Sequence, residues 1–266
     1  MINIVIALPR IHEFTTLTLP FLKRHNVCLR TVHVFTNTCH FQSLGVVVHA
    51  LKTKPAENGP YKGAFNMGYV HQEIALEFEP DSMLVELSDN IRDILYLGDP
   101  VVCFTKLIKN SFAALHGRVR MFGFSPGTMH YCAKPTIQDQ VGIMHMHRGC
   151  VGILNTRGLD TNIPLREDLD RVMLLQKAGY SVMRRYAYQV STREISCRYK
   201  HLGYTNMMSI HPLILKTITA KHDMLYIKRH AGEGSVGIRL YSPSARAEAR
   251  QGRRKRTLLD DGHLEL

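Results

Sequence analysis

Short apolar runs alternate with longer helix-like segments along residues 1 to 90. The runs are INIVIA (2–7), TVHVFTN (31–37), LGVVVHAL (44–51) and MLVEL (83–87). Apolar runs without polar alternation are typical of strands that are covered on both faces. Between them, EFTTLTLPFLKRH (13–25) and residues 64–78 are predicted to be helical, although Pro20 interrupts the first of these segments. The alternation predicts an α/β fold with a mainly parallel sheet and crossover helices.

The rest of the chain continues this pattern less regularly. Asp99 and Pro100 predict a helix start, because an N-cap residue is followed by proline at the first helical position. We expect strands in RVRMFGF (118–124), GCVGILN (149–155) and YSVMRRYAYQVS (180–191), and a helix that begins near Glu167 and ends before Gly179. From residue 229 the pattern weakens. SARAEARQGRRKRT (244–257) has six basic residues and one acidic residue, which predicts a solvated basic extension.

The composition is typical of a globular protein with a substantial core. The chain has 266 residues, of which 45% are hydrophobic and 21% are charged. No apolar run approaches the roughly 20 residues of a membrane span, and the N-terminal segment lacks the basic region of a signal peptide. The six cysteines are scattered without a CxxC pair, which argues against zinc and against a disulfide framework. We therefore expect no membrane partner and a cytoplasmic location, in the host cell if the source is viral.

The charge balance indicates a polyanionic partner. The 34 lysines and arginines outnumber the 22 aspartates and glutamates, which gives a formal net charge of +12. Such an excess favours nucleic acid through long-range attraction and counterion release. A phosphorylated small molecule is the alternative that composition leaves open.

Polar residues follow the fourth predicted strand, where Ser88, Asp89 and Asn90 interrupt an apolar sequence. In open sheets of this kind, ligands bind at the carboxyl ends of the strands. A carboxylate there can hold a metal or face a phosphate, but it can also cap the next turn. The sequence leaves both possibilities open for Asp89.

The order of these features resembles that of glycosyltransferases of the GT-A fold. Pro9 and Arg10 end the first strand, the loop GPYKGAFNMG precedes a helix, the triplet 88–90 ends the fourth strand, and Glu167 and Asp168 begin a later helix. Over roughly residues 1 to 195, the chain is most similar to phage and TET/JBP-associated enzymes that glycosylate hydroxymethylated DNA bases. The resemblance implies a GT-A-like domain at 1–228, with a nucleotide-sugar half at 1–98 and an acceptor half at 99–228. Residues 229–266 form the basic C-terminal extension.

The resemblance assigns a role to each of these motifs. Ala7, Pro9 and Arg10 would contact the nucleoside of a donor such as a UDP-sugar. Lys62-x-x-x-Asn66-x-Gly68 is similar to the Arg-x-x-x-Asn-x-Gly loop of the family, with lysine in place of the arginine that faces the diphosphate. Ser88 and Asp89 would form the metal corner. Of the acidic pair, Asp168 would be the general base of an inverting transfer, with Glu167 beside it. The structural alternatives are a helix entry for the loop and helix-dipole stabilisation for the pair.

The resemblance also implies a Mn²⁺ or Mg²⁺ ion that bridges the donor phosphates. Asp89 would be its carboxylate ligand, and Asp93 lies one turn further along. A late histidine completes the metal site in similar enzymes; His211 and His222 are candidates, and His211 is the predicted ligand. Ser88-Asp89-Asn90 has fewer carboxylates than the family motif. His145 and His147 in MHMHRGC are predicted to face the acceptor side or the sheet surface.

The resulting functional hypothesis is a metal-dependent transfer of a sugar to a hydroxymethyl base in DNA. The resemblance equally allows a protein or glycan acceptor. A nucleic-acid-binding module on a degenerate transferase scaffold is the non-enzymatic alternative, and the reduced metal motif supports it. A nucleotidyltransferase would be expected to have a glycine-rich basic loop after the first strand, and ALPRIHEF has no glycine.

Overall fold

The computed structural model describes residues 1–58, 61–126, 139–142, 149–164, 167–192, 207–222, 225–229 and 236–240. The chain divides into two compact units, Met1–Thr205 and Asn206–Leu266. The predicted domain boundary after residue 228 stays a prediction.

The first unit is built on one mixed sheet. Its strands are β1 (Ile2–Ala7), β2 (Val32–Thr36), β3 (Val47–Ala50), β4 (Met83–Leu87), β5 (Ile91–Tyr96), β6 (Asp99–Pro100), β7 (Val119–Pro126), β8 (Gln140–Gly142), β9 (Cys150–Leu154) and β10 (Ser181–Thr192). Their spatial order is β3-β2-β1-β4-β9-β7-β10-β5-β6, with β8 beside β10. The first four strands in this order are parallel, β7 and β10 are parallel, and β9 is antiparallel to both of its neighbours.

The helices of this unit lie close to the predicted positions, apart from the later start of the helix that was predicted to begin at Asp99. They are α1 (Ile11–Glu13), a π-helical turn (Phe14–Thr18), α2 (Leu19–Arg24), α3 (Met67–Glu77), α4 (Phe104–Ala113) and α5 (Glu167–Lys177). The helical prediction across Pro20 is confirmed, with a local departure from α-helical geometry. Pro20 has no amide hydrogen, and the hydroxyls of Thr15 and Thr16 donate to the carbonyls of Ile11 and His12. Both features perturb the regular helical hydrogen bonds.

Both faces of the sheet are covered, as the unalternating apolar runs predict. On one face, alternate residues of β1, β2, β4 and β7 form a single apolar core with the aromatic residues of α2 and α4; this core includes Ile4, Ile6, Val34, Val85, Leu87, Phe122, Phe124, Phe21, Phe104 and Phe112. On the other face, Glu86 of β4 contacts Arg171 of α5 and lies near His71 of α3. The fold is therefore α/β, with a mixed, largely parallel sheet between helices, and it is compatible with a Rossmann-like arrangement.

The predicted helix start at Asp99 and Pro100 is wrong. These residues form β6, which pairs with β5, a strand that the sequence pattern did not predict. Leu97 and Gly98 both have positive φ, of 51° and 108°, which makes the two-residue turn of a tight hairpin. The hairpin takes Asp99 and Pro100 into the sheet, and α4 begins only after Cys103.

The second unit contains helix α6 (Met207–Lys221) and a hairpin of β11 (Leu225–Arg229) and β12 (Val236–Leu240). The two strands are antiparallel, with Ile227 opposite Ile238. Ile214, Leu215 and Ile218 of α6 are buried, which gives this unit an apolar helix face of its own. Within the described residues, no helix is both long and apolar enough to cross a lipid bilayer.

Candidate active site

The carboxyl ends of β1 and β4 lie side by side, because these strands are parallel neighbours with Val5 opposite Glu86. A cavity opens beside them, between the loop after β1, the turn after β4 and the first turns of α3 and α5. Its lining includes six of the predicted site residues: Ala7, Arg10, Ser88, Asp89, Glu167 and Asp168. Motifs from both predicted halves of the domain therefore meet at one edge of the sheet, where α/β folds bind their ligands.

Arg10 and Asp89 form a bidentate ion pair in this cavity. The Arg10 Nε atom donates to Asp89 Oδ2 and its NH2 group donates to Oδ1, both at 2.8 Å, and the Arg10 backbone N–H also donates to Oδ2 at 2.8 Å. The two side chains are only 11% and 8% exposed. Burial would lower the pKa of Arg10, but the hydrogen bond and charge of Asp89 raise it. Asp89 therefore holds the guanidinium in a fixed orientation.

The turn after β4 is held in place by neighbouring elements. The buried Thr18 hydroxyl donates to the Ser88 carbonyl and accepts from the Ile91 amide, each at 3.0 Å. Ser88 donates through its hydroxyl to Asn90 Oδ1 at 2.5 Å, and its amide donates to the Gly149 carbonyl at 3.0 Å. This turn joins β4 directly to β5. The turn places Asp89 against Arg10, whose backbone and side chain both donate to the aspartate.

A cluster of charged side chains lies between α3, α5 and the sheet. This charge cluster consists of His71, Glu86, Glu167 and Arg171. Arg171 donates to both carboxylate oxygens of Glu86, through NH2 at 2.6 Å and through NH1. His71 bridges the two glutamates, with Nδ1 3.4 Å from Glu86 Oε1 and Nε2 3.5 Å from Glu167 Oε1. The exposed fractions of the four side chains run from 2% for Glu167 to 15% for Glu86, so their charges compensate one another with little help from water.

The charge cluster shifts the pKa of His71, of Glu86 and of Arg171 towards their charged forms. Burial would raise the pKa of Glu86, but Arg171 and His71 lower it well below its ordinary range. Burial would lower the pKa of His71, but the carboxylates of Glu86 and Glu167 outweigh both burial and the nearby Arg171, so that the pKa is raised. The cluster connects the carboxyl end of β4 to the start of α5 and so fixes the position of Glu167.

His71, Glu86 and Arg171 were not predicted from the sequence as site residues. The sequence does contain an indication of Glu86, because it is the single charged residue of the strand MLVEL. A carboxylate in a buried strand requires a partner of opposite charge. Its partner, Arg171, lies one helical turn after Glu167. No local pattern marks His71, whose role depends on how α3 packs against α5.

The motif of Lys62, Asn66 and Gly68 lies outside the lining of this cavity. Lys62 is exposed. Asn66 is the N-cap of α3, where its Oδ1 accepts from the Tyr69 amide at 3.3 Å, and its Nδ2 donates to the Asn162 carbonyl at 3.1 Å. A Cβ atom on Gly68 would lie 2.3 Å from the Thr161 carbonyl oxygen. The spacing of this motif is therefore accounted for by a helix start that packs closely on a loop.

The remaining predicted residues have other surroundings. Pro9 is buried beside the cavity without lining it. Asp93 lies on β5, with its carboxylate 3.4 Å from Arg24 and 3.8 Å from His25. His211 and His222 belong to the second unit; the His211 side chain lies outside the described residues, and His222 is buried. His145 and His147 also lie outside the described residues.

The donor set around Asp89 does not fit a divalent cation. Both carboxylate oxygens of Asp89 accept hydrogen bonds from Arg10, so that a cation there would face the guanidinium. Mn²⁺ and Mg²⁺ require several oxygen ligands. Among the described residues, no group of three histidine, cysteine, aspartate or glutamate side chains is arranged to hold a metal ion. The predicted metal site stays a prediction that this geometry does not favour.

Two cavities adjoin the charge cluster. The cavity at the strand ends encloses about 60 Å³, which suits a small group such as a phosphate rather than a whole nucleotide sugar. The second cavity, of about 280 Å³, lies between α3 and the loop 155–161, and His71, Glu86 and Arg171 line both. No known protein family and no curated protein matches the chain.

Proposed function

We propose that this chain is a glycosyltransferase that transfers a sugar from a nucleotide-sugar donor to a hydroxymethyl base in DNA, on a GT-A-like fold. The observation that carries the proposal is the convergence of residues from three separate motifs in one cavity: Ala7, Arg10, Ser88, Asp89, Glu167 and Asp168. The cavity lies at the carboxyl ends of parallel strands, where nucleotides bind in folds of this type.

In this proposal a phosphate of the donor diphosphate enters the cavity beside Arg10, and the rest of the donor extends beyond it. An oxygen of the acceptor hydroxyl attacks the anomeric carbon, while the bond from that carbon to the diphosphate oxygen breaks. The nucleoside diphosphate leaves with the bonding electron pair, and the hydroxyl proton passes to a carboxylate at the start of α5. One displacement of this kind inverts the configuration at the anomeric carbon.

Asp168 suits the role of general base better than Glu167 does. The Glu167 side chain is 2% exposed and lies 3.5 Å from His71, within the charge cluster. Asp168 also lines the cavity, and its Oδ1 accepts from the Leu169 amide at 3.0 Å, which holds its carboxylate at the first turn of α5. In this assignment Glu167 and the charge cluster position α5, and Asp168 accepts the proton.

DNA is the proposed acceptor because of the charge of the chain. A net charge of +12 and the basic segment 244–257 favour a polyanion. A base within a duplex is screened by its neighbours, so the enzyme would extrude it or act on exposed strands. An uncharged glycan or protein acceptor would not explain the excess of basic residues.

The test is sugar transfer to DNA in vitro. Hydroxymethylated and unmodified DNA are incubated with a panel of nucleotide sugars, with Mn²⁺ in one series and EDTA in another, and the digested nucleosides are weighed by mass spectrometry. We expect a sugar adduct on hydroxymethylated DNA with one donor. Asp168→Asn is expected to lower the rate by at least about 100-fold, the ordinary contribution of a general base.

Asp81→Asn is the matched control for that substitution, because Asp81 is 66% exposed and pairs with Arg120 away from the cavity. Its activity should equal that of the unmodified protein. An absence of any adduct with every donor would overturn the DNA assignment.

A non-catalytic nucleic-acid-binding module is the second candidate. The small volume of the cavity favours it. So does the contact of both carboxylate oxygens of Asp89, the predicted metal ligand, with Arg10. In that case the protein would bind DNA, while calorimetry would detect no binding of any nucleoside diphosphate.

A further inference from the structure

The Arg10 guanidinium retains hydrogen-bonding capacity inside the cavity. It has five N–H donors in a planar fork, and its ion pair with Asp89 uses one on Nε and one on NH2. The NH1 group lies 3.8 Å from Glu13, beyond hydrogen-bonding distance. Among the described residues, no acceptor lies within hydrogen-bonding distance of the other three N–H groups, which are therefore available to a ligand. Their direction is fixed, because Asp89 holds the opposite edge of the guanidinium.

We propose that Arg10, oriented by Asp89, binds the diphosphate of the donor without a divalent cation. This inference rests on the proposed function, and it replaces the metal that the sequence resemblance implies. A guanidinium that is only 11% exposed is a strong partner for phosphate oxygens, which it can bind in pairs. In this arrangement Asp89 is a positioning residue, and Arg10 supplies the positive charge that stabilises the leaving diphosphate.

The geometry of Asp89 distinguishes this assignment from a metal site. A metal-binding carboxylate directs an oxygen at the ion, whereas the oxygens of Asp89 accept three hydrogen bonds from Arg10. The Ser88 hydroxyl is directed at Asn90, because it donates a hydrogen bond to the Asn90 amide oxygen. A cation bound to Asp89 would have to displace the guanidinium from a pair that is nearly buried.

The first measurement is binding of nucleoside diphosphates to the full chain by calorimetry. UDP, GDP, ADP, CDP and TDP are titrated in EDTA and again in Mn²⁺. We expect one of them to bind with a Kd that agrees within about twofold between the two conditions. Mn²⁺ alone is titrated in parallel and followed by electron paramagnetic resonance, where we expect the spectrum of the free ion to persist.

Variants assign the binding to the guanidinium. Arg10→Gln is expected to weaken nucleoside diphosphate binding at least tenfold. Arg10→Lys is expected to weaken it less, because the charge remains while the fork to Asp89 is lost. Asp89→Asn retains Arg10 and is expected to leave measurable, weaker binding in EDTA. Arg24→Gln is the matched control, since Arg24 pairs with Asp93 outside the cavity, and it should bind as the unmodified protein does.

The outcomes separate this inference from the proposed function. Binding that requires Mn²⁺, or Mn²⁺ binding that Asp89→Asn abolishes, overturns the inference and leaves the transferase proposal standing. If no nucleoside diphosphate binds in either condition, the proposed function fails and the inference fails with it. The measurements in EDTA and in Mn²⁺ on the unmodified protein decide these cases even if an Arg10 variant fails to fold.

Discussion

Asp89 and Arg10 lie 79 positions apart in the chain, yet three hydrogen bonds join them in the candidate site. Each was marked by the sequence as the polar residue that follows a strand. Their ion pair changes the role that each can have. A carboxylate whose two oxygens both accept hydrogen bonds from a guanidinium is neither an open metal ligand nor a simple turn cap. The role of a residue here depends on its partner rather than on its own chemistry.

His71 is expected to make stability depend on pH. Its pKa is raised in the folded protein, so the folded state binds its proton more tightly than the unfolded state does. The stabilisation is complete below the ordinary histidine pKa of about 6.5 and is lost as the pH rises through the folded-state value. The free energy of unfolding lost in His71→Gln should therefore be greatest below about pH 6.5 and should shrink above it. Urea denaturation between about pH 5.5 and 8.5 measures this loss.

His33 is a control, because its pKa is shifted in the opposite direction to that of His71. Burial, together with the neighbouring His49, lowers its pKa, so that its neutral form is favoured in the folded state. The stability that depends on neutral His33 is lost as the pH falls below about 6.5. The cost of His33→Gln should therefore decrease on acidification, whereas the cost of His71→Gln should increase. A cost of His71→Gln that is constant or grows with pH would contradict the charge cluster.

At the scale of elements, α3 is anchored at both ends to the segment that follows β9. Gly68 and Asn66 pack at its start against residues 161–163. At its end, the buried Asn155 directs its amide group at the carbonyls of Ala75, Phe78 and Glu79, at 2.9 to 3.0 Å. These contacts hold α3 in place, and with it they hold His71 beside Glu86 and Glu167 of the charge cluster.

Asn155→Ala is expected to lower the free energy of unfolding by about 1 to 3 kcal/mol, because it removes the amide donor that three backbone carbonyls share at a buried position. Asn155→Asp should cost more, since it replaces the donor with a negative charge beside those carbonyls. Thr156→Ala is the control, since its hydroxyl donates to the carbonyl of Leu154, two residues away, and we expect a change within about 0.5 kcal/mol. Urea denaturation monitored by circular dichroism measures all three. Equal losses for Asn155→Ala and Thr156→Ala would show that the end of α3 is not anchored there.

The error at Asp99 and Pro100 has an identifiable cause at this scale. The dipeptide has the chemistry of a helix start, and the following residues keep helical spacing. The hairpin turn at Leu97 and Gly98 places it in the sheet instead. Leu-Gly is a weak turn signal, since a leucine rarely adopts positive φ. Tertiary pairing of β5 with β10 fixes this conformation.

At the scale of the whole molecule, the positive charge is expected to govern DNA affinity. Each phosphate contact that is lost reduces the slope of log K against log salt by about 0.9 for duplex DNA. Replacing Arg253, Arg254, Lys255 and Arg256 with glutamine should lower that slope and weaken binding to a duplex of any sequence. Fluorescence anisotropy at several NaCl concentrations measures both quantities.

The control for this variant removes charge from another place. Lys106 and Lys109 are exposed on α4, and their replacement with glutamine changes the net charge by two without touching the basic segment. If the segment 244–257 contacts DNA, its variant should lose more slope for each charge removed than the lysine variant does. If the loss of slope for each charge removed is equal in the two variants, the attraction to DNA depends on net charge alone.

The sequence alone determined most of the architecture. Apolar runs without polar alternation predicted buried strands, because a strand covered on both faces needs apolar residues on both. The alternation of these runs with helices predicted the parallel arrangement of β1 to β4, because a helix between two strands allows them to run in the same direction. It also selected the strand-end residues Arg10 and Asp89 and the acidic start of α5, since polar residues at such positions require an explanation.

Only the tertiary structure decided how these residues pair. The fork between Arg10 and Asp89, the charge cluster of His71, Glu86, Glu167 and Arg171, and the use of Asn66 as a helix cap depend on distances between elements. No local pattern contains those distances, because the free energy of a buried charge depends on which opposite charge the fold brings within a few ångströms. The sequence therefore located the edge of the sheet where chemistry is expected, and the packing of α3 and α5 on that edge decided which charges remain available to a ligand.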